Sequence, residues 1–277
     1  MKSKIWFITG ISSGLGKALA DALIENGDFV IGTFRKASQV EEFNAQHQEK
    51  AFSYQLDITD SQDIKFVVEN VLATFGKIDV LVNNAGYGFA GAIEETSDAE
   101  VRAVFEANFF GSLHMTQAVL PIMRKQKSGH IIQISSHGGI KAFAGFGIYN
   151  ASKFALEGFS EALAQEVAPL GIKLTIVEPG PFRTGFANAA FIEAEHKIED
   201  YQTTSGAFKE RMKAVDGKQE GDPAKAVKAI IQITKIESPP LRLPLGKVPI
   251  TTIQMKIDSV QKDLNDWKSV AESVVFE

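Results

Sequence analysis

At 277 residues, with 44% hydrophobic and 23% charged side chains, the chain is sized for one large hydrophobic core and is not composed like a disordered or low-complexity protein. Its 29 Lys and Arg against 34 Asp and Glu leave a net charge of −5, which argues against nucleic acid as a partner. Zero cysteines exclude disulfides and thiolate metal sites, no metal is expected, and the composition fits a reducing compartment.

Residues 1–10 run straight into an apolar strand pattern without a small-residue cleavage site, and no run of about 18 apolar residues follows anywhere. A cytoplasmic location without a membrane partner is therefore expected. The first predicted strand, 4–9, leads into Thr9-Gly10-Ile11-Ser12-Ser13-Gly14-Leu15-Gly16, and a helix is predicted over 15–26, stopped by Gly27. Gly10, Gly14 and Gly16 let the backbone turn sharply and approach a diphosphate, whose charge is favoured at a helix N-terminus. The G-x-x-x-G-x-G spacing departs from the common dinucleotide fingerprint. A P-loop fits worse, because it needs glycine and a hydroxyl where Ile11 and Ala18 stand. Such turns also occur for packing alone.

A second strand, 29–34, ends at Arg35 and Lys36, and the first acidic residues downstream are Glu41 and Glu42. A carboxylate there would bind the ribose hydroxyls of NAD, whereas a base accepts the 2′-phosphate of NADP. Arg35 favours NADP(H) over NAD(H), the plainer alternative being a solvated loop charge. Further strands are predicted at 51–55, 80–83, 130–135 and 173–178, with helices at 61–75, 98–125 and 149–168. Residues 78–82 are apolar on both strand faces, as in a sheet covered by helices on both sides. The rhythm breaks after Pro179, and the aromatic-bearing stretch 182–221, with no strand pattern, reads as an inserted lid. Asp222 and Pro223 open a helix to about residue 235, 241–245 makes a last strand, and 251–270 has helical periodicity. Without repeats or a flexible linker, the reading is one α/β domain with a doubly wound parallel sheet. Its parts are a core over 1–184, a substrate lid over 185–221, and the last strand and C-terminal helices over 222–277.

Tyr149 and Lys153 stand four apart at the start of a helix, on one face. An isolated phenol titrates near 10 and is a poor acid or base at neutral pH; a neighbouring ammonium favours the phenolate and brings it into a useful range. Ser136, at the carboxyl end of the 130–135 strand, sits where open α/β sheets bind ligands and can donate to a substrate oxygen as charge develops. Ser135 reads as a turn hydroxyl and His137 as a loop residue.

Together these residues closely resemble the short-chain dehydrogenase/reductase family. The resemblance rests on the Thr9 to Gly16 turn, Asn83-Asn84-Ala85-Gly86, Asn108 within Ala107-Asn108-Phe109-Phe110-Gly111, Ser136, the Tyr149 and Lys153 pair, and Pro179-Gly180. It implies a Rossmann-like sheet, Tyr149 as acid or base, Lys153 on the nicotinamide ribose, Ser136 orienting the carbonyl, and Asn108 keeping a water in the proton relay. It also implies that Asn84, Ala85 and Gly86 lie on the adenine side, Asp57 contacts the adenine amine, and Pro179, Gly180 and Thr184 cover the nicotinamide. Ser12, Ser13 and Leu15 complete the phosphate turn, although Ser13 stands where some NADP-using members carry a base. The C-terminal part, with Pro239 to Gly246, resembles reductases related to hydroxysteroid dehydrogenases.

The activity so implied is carbonyl reduction or its reverse, interconverting a ketone or aldehyde and an alcohol. The alternatives are a non-catalytic dinucleotide sensor or scaffold, and an NADP-assisted isomerase or dehydratase. The substrate is a small-molecule carbonyl or alcohol, and Phe143, Phe146, Phe182, Phe186, Phe191 and Phe208 are expected to give it an apolar surround. The family resemblance also implies a homodimer or homotetramer through the long helices near 98–125 and 149–168.

Overall fold

The computed structural model describes residues 3–187 and 190–276; residues 1, 2, 188, 189 and 277, which fall in the expected core, lid and tail, lie outside the described residues. The chain alternates strands and helices from its start. β1 (Ile5–Ile8), α1 (Gly14–Glu25), β2 (Phe29–Phe34), α2 (Ala37–His47), β3 (Ala51–Gln55) and α3 (Ser61–Phe75) form the first half of the sheet. β4 (Val80–Asn83) opens the second half and is followed by a short β5 (Gly88–Ala90), α4 (Asp98–Phe105), α5 (Gly111–Gln126) and β6 (Gly129–Ile134). Next come α6 (Gly147–Val167), β7 (Ile172–Pro179), β8 (Phe191–Glu193), α7 (Ala207–Ala214), α8 (Pro223–Ile233), β9 (Arg242–Leu245) and α9 (Lys247–Glu272).

Seven strands pair in the order β3-β2-β1-β4-β6-β7-β9, every described pairing parallel. Strand order reverses between β1 and β4, which opens a crevice at their carboxyl ends where ligands bind in sheets of this kind. Side-chain alternation explains the two covered faces. Trp6, Ile8, Val80 and Val82 pack with Leu19 and Leu23 of α1 and Ile230 of α8. Phe7 and Leu81 point the other way, onto Val67 of α3, Met115 of α5 and Leu163 of α6. Helix ends follow local chemistry: Asp60 Oδ1 accepts from Gln62 N at 2.9 Å at the start of α3, and Gly76 ends it with a φ of +74°.

Two expectations change. The helix expected over 98–125 is interrupted by a π turn at Glu106–Phe110, between α4 and α5. This widening lets Asn108 reach the backbone of Tyr87, which donates to Asn108 Oδ1 at 2.9 Å and accepts from Nδ2 at 2.9 Å. The lid is not without strand either: β8 pairs in parallel with β5, Gly88 against Phe191, and α7 follows. β8 is three residues long, too short for an alternating pattern to register, and its pairing partner lies a hundred residues away.

Leu81 is fully buried in the middle of the sheet. Leu81→Ala is expected to cost about 2–5 kcal/mol of folding stability, read as a lower urea midpoint with an unchanged slope.

Candidate active site

The site starts at the glycine turn. Gly10 and Gly14 have φ of +70° and +63°, and a Cβ on Gly16 would collide with the Asn84 amide and the Gly10 carbonyl. Asn84 Nδ2 donates to the carbonyls of Thr9 and Gly10, each at 2.9 Å, while Thr9 Oγ1 accepts from the backbone N–H of Asn84 and Ala85. The ends of β1 and β4 are thereby locked together, with the Asn84 side chain turned to the turn backbone. Ser13, the N-cap of α1, makes no side-chain capping bond, and Ser12 and Ser13 are exposed. The first-turn N–H groups of α1 are therefore left without a cap from Ser13, and this turn fits a diphosphate.

The other residues expected to meet a cofactor lie at the ends of β2, β3 and β7. Thr184 lies over Gly14, its Cβ 3.8 Å from where a glycine Cβ would stand. Arg35 is exposed just past β2, its backbone carbonyl accepting from Gln55 Nε2, and among the described residues no carboxylate forms an ion pair with its guanidinium. Asp57 follows β3 and accepts from Thr59 N and Oγ1 at 2.9 and 2.8 Å. Pro179 ends β7, and Gly180 N donates to Leu245 O at 2.9 Å, so β9 holds the loop that carries Thr184.

The residues expected to react converge from β6, α6 and the π turn. Ser136 follows β6, its Oγ accepting from Gly138 N at 3.0 Å. A Cβ on Gly138 would sit 3.2 Å from Ser136 Oγ and 3.6 Å from the Tyr149 ring, so these two side chains flank one glycine. Lys153 Nζ donates to Ile134 O at 2.8 Å and lies 5.9 Å from the centre of the Tyr149 ring. Gly86 closes the group: a Cβ there would lie 2.8 Å from Asn108 Oδ1 and 3.8 Å from Lys153 Nζ. Asn108 Nδ2 also donates to Ser152 Oγ at 3.2 Å, so the π turn is pinned to α6 beside the lysine.

Charge in the site differs from the simplest expectation. Burial pushes the Tyr149 phenol up to about 12, opposed by the Ser136 hydroxyl, and burial pulls Lys153 down to about 8, opposed by Glu157. Burial therefore moves the tyrosine in the direction opposite to the lowering expected from a neighbouring lysine, because its ring lies in the dry interior. His137 is held down to about 4 by burial, with Nδ1 3.0 Å from Thr252 Oγ1, and is a neutral neighbour of the site.

One group behind the lysine was missed by sequence reasoning. Glu157, one helical turn beyond Lys153, is buried, and Arg242 Nε of β9 lies 3.4 Å from its Oε2 and 3.3 Å from Glu178 Oε1. Burial pushes Glu178 up to about 7, the Glu157 charge adding to it and Arg242 opposing. The 149, 153, 157 spacing was the available signal, since all three positions share a helical face.

An aromatic wall covers the phenol. Tyr149 is 4% exposed, stacked on Phe146 with ring centres 4.2 Å apart and met edge-on by Phe186 at 5.9 Å; Phe143, Phe191 and Phe208 complete the cluster. Phe182 does not join it, packing instead against the core beside Gly221. Buried Glu95 ties down the lid: its Oε1 accepts from Ile198 N at 3.0 Å, and Lys209 Nζ stands 3.6 Å from Oε2. Chemically, the arrangement offers an anion cradle at the glycine turn and, at the end of β6, a phenol with its proton, a hydroxyl and a lysine.

Known proteins share this fold. The short chain dehydrogenase family profile matches residues 4–195. The chain is 43% identical over 245 residues to an oxidoreductase of Botryotinia fuckeliana, covering 88% of this chain and 89% of that one. It is 41% identical over 249 residues to a 3-ketodihydrosphingosine reductase of Bacteroides thetaiotaomicron, covering 89% of each. A short-chain dehydrogenase structure from Streptomyces avermitilis superposes with a TM-score of 0.93 at 43% identity, over 99% of this chain and 100% of that one. Other solved structures of the same fold contain NAD or NADP. With its parallel seven-stranded sheet, glycine turn and matching profile, the chain belongs to the short-chain dehydrogenase family of oxidoreductases acting on small molecules.

Proposed function

We propose that the protein transfers hydride between NADP(H) and a ketone, aldehyde or secondary alcohol, with Tyr149 passing the proton. The observation that carries this reading is the convergence of Ser136, Tyr149 and Lys153 at the carboxyl end of β6. The N-terminal turn of α1, with Ser12, Ser13 and Leu15, would hold the diphosphate, Arg35 the 2′-phosphate, and Asp57, Ala85 and Gly86 the adenosine side. Thr184, carried over Gly14 by the Pro179-Gly180 loop, would cover the nicotinamide. The bound dinucleotide supplies or accepts the hydride.

In the reducing direction, Ser136 Oγ–H donates to the carbonyl oxygen and Tyr149 delivers its phenolic proton to the same oxygen as negative charge develops. A phenol at about 12 keeps that proton throughout the neutral range. Lys153, while charged, offsets the phenolate left behind, and Asn108 holds the backbone beside it through Tyr87 and Ser152. The aromatic wall of Phe146, Phe186, Phe191 and Phe208 favours a substrate whose body is apolar. The Bacteroides relative, named a 3-ketodihydrosphingosine reductase, supports reduction of a ketone.

Tyr149→Phe is expected to lower kcat/KM for NADPH-dependent ketone reduction by about 10²–10⁴-fold while NADPH still binds. Undiminished turnover in that variant would sink the proton-transfer role. Arg35→Ala is expected to weaken NADPH about 10- to 100-fold and leave NADH nearly unchanged, as measured by fluorescence titration; equal losses for both would remove the 2′-phosphate assignment. Because Lys153 is held down to about 8, its charge is lost as pH rises through that value. Reduction is therefore expected to be level below about pH 7 and to decline above about pH 8, and a pH profile that rises there would contradict this role.

A further inference from the structure

The C-terminal helix leaves the domain. Its first turns are anchored: Lys247 N and Val248 N donate to Glu220 Oε1 at 3.0 and 3.2 Å, Pro249 is buried, and Thr252 meets His137. From Ile257 to the end of α9 at Glu272 every residue is exposed. At 1.5 Å per residue this stretch projects about 24 Å into solvent. An isolated helix of this length is marginal in water, so its stability requires a packed apolar face.

That face is present and regularly spaced. Ile253, Ile257, Val260, Leu264, Trp267 and Ala271 recur at alternating steps of four and three residues, with Leu264 61% and Trp267 65% exposed. Each pair of successive steps advances seven residues, a repeat of 3.5 per turn against the 3.6 of a straight helix. Such a repeat keeps one seam facing a second helix only when the two wind around each other. A helix laid on a globular body calls for a wider stripe. Charge narrows the choice of occupant: the exposed stretch carries Lys262 and Lys268 against Asp258, Asp263, Asp266 and Glu272. This acidic balance disfavours an anionic lipid surface.

We propose that this helix pairs in parallel with the same helix of a second copy of the chain, as a short two-stranded coiled coil. With Leu264 and Trp267 in the seam, Asp263 and Lys268 occupy the flanking positions that face each other across a parallel pair. Each chain's Asp263 then meets its mate's Lys268, once on each side. Among the described residues Asp263 has no ion-pair partner within its own chain, and Lys268 reaches only Glu272 at 3.7 Å. Lys262, paired with Asp266, lies on the outer face. The surface is separate from the catalytic crevice, so the pairing stands whatever the substrate proves to be.

The test uses the full chain. Sedimentation equilibrium is expected to show Leu264→Glu/Trp267→Glu at half the mass of the wild-type assembly, with unchanged circular dichroism of the sheet domain. Since the chain has no cysteine, single cysteines report contact directly. Under mild oxidation Leu264→Cys is expected to form a disulfide-linked dimer, and Lys262→Cys is not. Equal masses for wild type and the double variant, or crosslinking as fast at residue 262 as at 264, would overturn the proposal.

Discussion

The close junction of β1 and β4 is the constraint on which the site depends. Asn84 bridges the carbonyls of Thr9 and Gly10, Thr9 Oγ1 accepts from the backbone of Asn84 and Ala85, and Gly16 has no space for a side chain. These bonds fix the point where the strand order reverses, at the start of α1. A turn free to relax would satisfy its own carbonyls and close the anion cradle. Asn84 is thus as much part of the cradle as the glycines are, although its side chain faces the protein.

A second linkage carries this frame to the reacting groups. Asn108 is brought to Tyr87 by one widened helical turn, and through Ser152 it fixes α6, which presents Tyr149 and Lys153. The same helix buries Glu157 against Arg242 of the last strand. A cation is retained in a dry interior only with carboxylate or carbonyl partners nearby, and Lys153 has both the Ile134 carbonyl and Glu157. The lid repeats the logic with Glu95, whose buried carboxylate is satisfied by backbone N–H groups and Lys209. Burial raises Glu95, but those bonds outweigh it and hold the group below its ordinary range.

Much of this was legible in the sequence because it is local. Short apolar runs marked every strand of the main sheet, Gly27 and Gly76 marked helix ends, and the glycine turn, Ser136 and the Tyr149 and Lys153 pair stood in order along the chain. Each signal depends on neighbours within one or two turns, where φ/ψ preference and side-chain period act directly. The aromatic wall was half legible: residue type predicted an apolar surround, but five of the six phenylalanines gather at Tyr149 while Phe182 turns into the core.

By itself the sequence determined the doubly wound α/β class and set the glycine turn, Ser136, Tyr149 and Lys153 in order along the chain, since these follow from periodicity and short motifs. Only the tertiary structure decided the π turn at Asn108, the pairing of β5 with β8, the Glu157, Arg242 and Glu178 cluster, and the burial that pushes the Tyr149 phenol up. Each of these joins residues distant in sequence. Their energies are set by desolvation and by which polar partners the fold brings within reach, and neither quantity exists until the chain has packed.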